Sequence, residues 1–129
     1  MHKEEIDLLI KRSKEFLDAA KERIKKKSWD LACFMAEQAV QLFLKEIILE
    51  KGGEYPRTHS LRELFAMIGF LTENEIKYDR KALVFLEGAY FSLRYLSFIY
   101  NEEDARNAIK TAEEVVNIVE NVRIFKKEK

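Results

Sequence analysis

Residues that interrupt helices are scarce in this chain. It has four glycines and one proline among 129 residues, and none of them precedes Gly52. Glycine and proline are the residues least compatible with a helix interior, so their scarcity favours long helices over many short strands. Hydrophobic residues make up 47% of the chain and charged residues 36%, a balance typical of a folded chain rather than a disordered one. The length suits a single domain covering residues 1–129.

Apolar residues recur at three- and four-residue steps and predict five helices. Four are long and one is short. They cover about residues 4–27, 28–51, a short stretch from 60, 79–100 and 101–125, with residues 126–129 as a frayed basic tail. Short connections imply that successive helices pack antiparallel, so the predicted fold is an all-α, up-and-down bundle.

Helix-capping residues mark the predicted ends. Ser28 and Asn101 are natural N-caps for the second and fifth helices, and Gly52 ends the second. Ser60 with Glu63 forms the capping-box pattern at the start of the third helix. The same Ser/Thr-x-x-Glu pattern at residues 72–75 predicts a further helical turn there.

Charge and cysteine content restrict partners and compartment. Basic and acidic residues number 23 each, so no global basic field attracts a nucleic acid, although a local patch stays open. The run Lys25–Lys27 is interpreted as a helix C-terminal cap rather than a binding patch. The lone Cys33 excludes an internal disulfide and is interpreted as a small buried residue in a reducing setting. The polar first five residues and the lack of a membrane-length apolar run predict a cytoplasmic protein.

Two of the predicted helices, the second and the fourth, are apolar on more than one face. A monomer would then leave a contiguous hydrophobic patch in water, which soluble monomers rarely tolerate. A two-fold homodimer is the simplest solution. The alternative is that both helices are central and wrapped by the others.

Four segments carry a resemblance to a known family. They are WDLACFMAEQAVQLFLK at 29–45, THSL at 58–61, GAYFSLRY at 88–95 and NEEDA at 101–105. In this order they resemble the HEPN family of helical domains, over about residues 16–122. The resemblance implies a helical bundle that is usually dimeric. Members are often encoded beside a small nucleotidyltransferase, with which they form a toxin–antitoxin pair.

Many HEPN members are metal-independent ribonucleases, and others bind nucleotides only. The ribonucleases pair an arginine with a histidine a short distance downstream, in a cleft between two copies. Arg94 matches that arginine by position, although an ion pair with Glu87 on the same helix is an alternative role for it. The histidine would fall at positions 99 to 101, which hold Ile99, Tyr100 and Asn101. Tyr100 is a weak catalytic candidate because a phenol is a poor base near neutral pH. Whether the chain is an enzyme is therefore left open.

Other candidate binding residues come from the second helix and the loop after it. Gln38, Gln41 and Lys45 form one polar row, and with Arg57 and Arg94 they would line a cleft for a phosphate and a stacked base. The alternative is an ordinary solvated stripe. We expect His59 to fix its loop through a hydrogen bond. The two histidines are too far apart in sequence for a metal site, no phosphate-binding glycine loop is present, and no cofactor is predicted.

The leading hypothesis is a HEPN-domain homodimer that binds nucleotide or RNA and pairs with a nucleotidyltransferase in a toxin–antitoxin-like system. One alternative is a metal-independent RNA endonuclease that uses Arg94 with a partner other than histidine. The other alternative is a non-catalytic structural dimer.

Overall fold

The fold is an all-α bundle, as predicted. The computed structural model describes the backbone of residues 2–95 and 99–126, and the side chains of residues 3–92 and 99–122. Within these ranges the chain contains five helices and no strand. They are α1 (His2–Lys25), α2 (Trp29–Glu50), α3 (Leu61–Thr72), α4 (Arg80–Tyr95) and α5 (Glu102–Lys126).

The central element of the bundle is α2. It packs against each of the other four helices, most extensively against α1. Its buried residues therefore lie on several sides of the helix, and none of the large apolar side chains that the structure shows as exposed belongs to it. The wide apolar set of α2 is thus explained by packing within one copy of the chain. Cys33 lies in this core, fully buried, as expected for a small apolar residue.

The capping predictions hold at α3 and α5. The Ser60 hydroxyl accepts a hydrogen bond from the Glu63 backbone N–H at 3.3 Å. Asn101 and Asp104 cap each other: each side chain accepts from the backbone N–H of the other, at 2.8 and 3.0 Å. Ser28 occupies the N-cap position of α2, but its hydroxyl makes no capping hydrogen bond.

Several predicted boundaries differ from the structure. Helix α1 ends at Lys25 and not at about Lys27. Helix α4 does not continue to Tyr100: residues 99 and 100 are not helical, because the Tyr100 backbone N–H donates to the Asp30 carboxylate at 2.9 Å. No new turn begins at Thr72, which ends α3 with its hydroxyl donating to the Ile68 carbonyl oxygen at 2.8 Å. Of the predicted tail, Lys126 belongs to α5 and residues 127–129 lie outside the described part of the chain.

Candidate functional site

A buried carboxyl group lies at the centre of the polar row predicted on α2. Glu37 is fully buried, and its two carboxylate oxygens accept hydrogen bonds from the side-chain amides of Gln38 at 2.9 Å and Gln41 at 2.6 Å. Burial raises the pKa of Glu37 to about 7, and the two amide hydrogen bonds act in the opposite direction. This carboxyl group therefore changes charge close to neutral pH.

The structure brings three of the predicted binding residues together around Glu37 and leaves one apart. Gln41 is buried and Gln38 half-buried, so their amides orient Glu37 rather than face solvent. Lys45 is half-buried, and its ammonium lies 5.2 Å from the centre of the Tyr55 ring. Burial lowers the pKa of Lys45, while the negative charge of Glu37 acts in the opposite direction. Arg57 is exposed and forms no ion pair with the described residues.

A second polar cluster joins α4 to the start of α3. The Glu87 carboxylate accepts hydrogen bonds from Arg62 Nη2 at 3.2 Å and Nε at 3.3 Å, and from the Ser60 hydroxyl at 3.4 Å. The Glu87 charge also contributes to the raised pKa of Glu37, so the two clusters are neighbours across the α2–α4 contact. Arg62 was not among the residues predicted from the sequence, because it is 25 positions from Glu87 and no short-range pattern connects the two.

An aromatic pair lies beside these carboxylates. The rings of His59 and Tyr90 are stacked with their centres 4.0 Å apart, and Tyr90 Oη lies within hydrogen-bond distance of His59 Nε2, at 3.0 Å. This contact fixes the loop to α4, the role expected for His59. The stack continues to Phe34, and Phe91 meets Tyr90 edge-on. His59 itself is exposed, so the stack presents one aromatic edge to solvent.

The two candidate catalytic residues have different surroundings. Arg94 lies in the last turn of α4, on the row of positions 87, 90 and 94 that shares one side of the helix, but its side chain is outside the described residues. Tyr100 is 5% exposed and packs edge-on against Phe85. Burial raises the pKa of Tyr100 above its ordinary value, so an even smaller fraction of the phenol is ionised and able to accept a proton near neutral pH. Position 99, the first of the three positions 99 to 101 at which a histidine was expected, holds an isoleucine that is 84% exposed.

Next to the row of positions 87, 90 and 94, α4 presents an apolar stripe to solvent. Val84 is 41% exposed and Phe91 47%. Gly88 lies between them at helical spacing, and a Cβ atom built on it would meet no atom within 4 Å. We call Val84, Gly88 and Phe91 the α4 stripe. Phe85, next to Val84, is also partly exposed.

Among the residues that the structure describes, there is no cluster of three or more histidine, cysteine, aspartate or glutamate side chains that could hold a metal ion. Nor does any helix there combine the length and apolar character needed to cross a bilayer.

Comparison with known proteins places the chain in a family. The family model of the HEPN domain matches residues 6–122. Two similar solved structures are TT1696 from Thermus thermophilus, at 20% identity and a TM-score of 0.74, and ST0689, an archaeal HEPN homologue, at 21% and 0.67. Each alignment covers 91% of this chain and 97% of the other, and at such identities it shows the fold alone. No curated protein matches the sequence. The family match extends from α1 to α5, and the chain therefore belongs to the HEPN domain family.

Proposed function

We propose that this HEPN-domain chain binds nucleotide or RNA as a homodimer, in a cleft formed where the α4 stripes of two copies meet. The observation that carries the proposal is the layout of α4. One side of the helix carries the exposed apolar stripe, and the adjacent side carries Glu87, Tyr90 and position 94. A second copy that covers the stripe would bring two such polar rows into one cleft.

The polar residues around α4 have the chemistry of a nucleotide site. The exposed His59 ring, which stacks on Tyr90, is an aromatic surface on which a base can stack. Arg62 supplies a guanidinium whose position is fixed by Glu87, and Lys45 adds a second cation. Gln38 and Gln41 orient the buried Glu37 through hydrogen bonds from their side-chain amides. Arg94 would add the family arginine to this row.

The partner and the setting are proposed from family membership. In HEPN systems the helical domain often works with a small nucleotidyltransferase in a toxin–antitoxin-like pair, and we propose the same cytoplasmic arrangement here. Co-expression with the nucleotidyltransferase encoded nearest to this gene tests the proposal. Co-purification at a fixed stoichiometry supports it, and purification of this chain alone contradicts it.

Binding of labelled single-stranded RNA and of nucleotides, followed by fluorescence anisotropy, tests the ligand. We expect binding by the wild type that weakens with added salt, because phosphate contacts release counterions. Arg94→Ala should weaken binding about tenfold or more, since it removes a charged hydrogen-bond donor. Arg80→Ala is the matched control, because Arg80 is an exposed arginine at the other end of α4. No binding by the wild type, or equal binding by both variants, contradicts the proposal.

The same preparations test the endonuclease alternative. We expect little or no cleavage of RNA, because positions 99 to 101 lack a histidine and Tyr100 is buried. Cleavage that persists in the presence of chelators and disappears in Arg94→Ala would establish the alternative. A dimer that neither binds nor cleaves would leave the structural role.

A further inference from the structure

A groove of about 650 Å³ lies between the second half of α1 and the first half of α5. Its apolar lining consists of Ile24, Trp29 and Ile109, and these three side chains also pack against the core. The volume falls in the range of small-molecule sites, roughly 300–1,000 Å³. Neither the family match nor the proposed cleft on α4 assigns a role to this groove.

The groove is strongly cationic although the chain as a whole is neutral. Five basic side chains line it against two carboxylates, which gives a local charge of +3; the basic ones are Lys21, Lys25, Lys27, Arg106 and Lys110, and the acidic ones Glu102 and Glu113. The cations come from both walls, three from α1 and the turn after it and two from α5. An anionic group inside the groove would therefore meet positive charge from two directions.

Not all of these cations are neutralised by neighbours. Lys21 pairs with Glu113 across the groove at 2.9 Å, Lys25 pairs with Glu22 along α1 at 3.2 Å, and Arg106 pairs with Glu102 along α5 at 2.7 Å. Lys27 and Lys110, by contrast, form no ion pair with any residue that the structure describes. These two ammonium groups are thus available to an anion from outside the chain.

The backbone at Lys27 adds a further observation. Its φ angle of 60° places it in the left-handed region at the end of α1, where glycine or asparagine is preferred. The preceding lysine run was interpreted from the sequence as a helix cap. The positive charge of Lys27 suits the C-terminal end of the helix, and the same side chain also lines the groove.

We propose that the α1–α5 groove binds a nucleoside phosphate unit, with the base against Trp29 and the phosphate between Lys27 and Lys110. Aromatic side chains stack on bases irrespective of sequence, and lysines hold phosphates as point charges. A ligand that contains both a base and a phosphate thus accounts for the apolar lining and for the flanking cations. An acidic helix of a partner protein would also match the charge of the groove. Such a helix needs a longer binding surface than this local groove offers.

The groove is separate from the proposed cleft on α4. Trp29 and Lys45 are 16 residues apart on α2, or about 24 Å at the rise of an α-helix. The inference therefore does not rest on nucleotide binding at α4.

Trp29 is the only tryptophan in the chain, so its fluorescence reports on the groove alone. The experiment titrates the full chain with ATP, with a short oligouridylate and with tripolyphosphate, which has no base. We expect saturable quenching by ATP and by the oligonucleotide, weakened by salt, and no comparable quenching by tripolyphosphate. Tighter binding of ATP would identify a free nucleotide as the ligand, and tighter binding of the oligonucleotide an RNA strand.

Two double variants test the assignment of the lysines. Lys27→Asn/Lys110→Gln should weaken binding about tenfold or more, because two charged contacts are lost. Asparagine accepts the left-handed backbone at position 27, so the turn is preserved. Lys14→Gln/Lys77→Gln, which alters two exposed lysines outside the groove, should bind like the wild type.

Several outcomes would overturn the inference. They are the absence of saturable quenching by both ATP and the oligonucleotide, equal weakening in the two double variants, and equal quenching by tripolyphosphate. Arg94→Ala separates this inference from the function proposed above. It should leave the quenching of Trp29 unchanged even where it abolishes RNA binding at α4.

Discussion

Arg62 and Glu87 form an ion pair that joins the first turn of α3 to the middle of α4, with 3.2 Å between Nη2 and Oε2. The two residues are 25 positions apart in the sequence. The Glu87 side chain is only 14% exposed, so its charge needs a partner in the folded state. This pair also holds the Arg62 guanidinium at the edge of the proposed cleft.

The pair should contribute measurably to stability. We expect Arg62→Ala and Glu87→Ala each to lower the melting temperature by a few degrees, roughly 2–6 °C for a domain of this size. The double variant should lose little more than Glu87→Ala alone, because that variant already removes the ion pair together with the hydrogen bond from the Ser60 hydroxyl. Thermal denaturation followed by circular dichroism measures all three. Losses that simply add in the double variant would show that the two side chains do not stabilise the fold through each other.

The buried Glu37 should make stability depend on pH. Its pKa is about 7 in the folded chain and close to the ordinary 4.5 when unfolded. Between these values the folded state binds more protons, so the free energy of unfolding should fall as pH rises from about 4.5 to 7 and then level off. The total loss should be at most ~3.4 kcal/mol.

Urea denaturation at several pH values tests this dependence. Glu37→Gln, which resembles the protonated carboxyl group, should lose most of the decline and be the more stable form at pH 8. Glu75→Gln, at an exposed position, serves as control and should follow the wild type. A Glu37→Gln profile parallel to that of the wild type would show that the carboxyl group is ionised throughout.

Cys33 should be unreactive in the folded protein. Its side chain is fully buried, and burial together with the charges of Asp104 and Asp30 raises its pKa to about 12. Since the thiolate is the reactive species, a thiol-specific reagent at pH 8 should label Cys33 only when the chain unfolds. Labelling of the native protein as fast as in urea would contradict the described core.

Most of the fold could be predicted from the sequence, because its determinants are local. Helical periodicity, the caps at Ser60 and Asn101, and the glycines after α2 are patterns within a few residues of one another. The end of α4 was predicted too far along the chain, because the contact at Tyr100 is not local in the sequence. The Tyr100 backbone N–H is satisfied by Asp30, 70 positions earlier, and no local pattern shows this.

The candidate site was harder to predict than the fold. Gln38, Gln41 and Lys45 were recognised as a row because helical spacing aligns them, but the amides were expected to face a cleft. Their actual partner, Glu37, lies in the same segment and was not assigned a role. Arg62 and Tyr90 join the site through contacts between helices, which only the tertiary structure determines.

Gly88 should respond to substitution in two opposite ways. Alanine at this position meets no atom within 4 Å inside one copy, so Gly88→Ala should stabilise the isolated chain by about 0.5–1 kcal/mol through helix propensity. In a dimer that packs α4 against α4, the added methyl group should hinder close approach and weaken association. Urea denaturation at high dilution measures the first effect, and the dissociation constant of the dimer measures the second. Destabilisation at high dilution would contradict the open environment of Gly88.

The proposed cleft requires two copies of the chain to associate through the α4 stripe, and sedimentation equilibrium measures this association. At micromolar concentration the wild type should sediment at about twice the chain mass of 15.3 kDa. Phe91→Asp should sediment at the single mass, because a buried unpaired charge costs several kcal/mol. Phe70→Asp is the control: Phe70 is more exposed, at 79%, but belongs to α3 and not to the α4 stripe. It should remain dimeric. A wild type of single mass, or a dimer unaffected by Phe91→Asp, would rule out association through the α4 stripe.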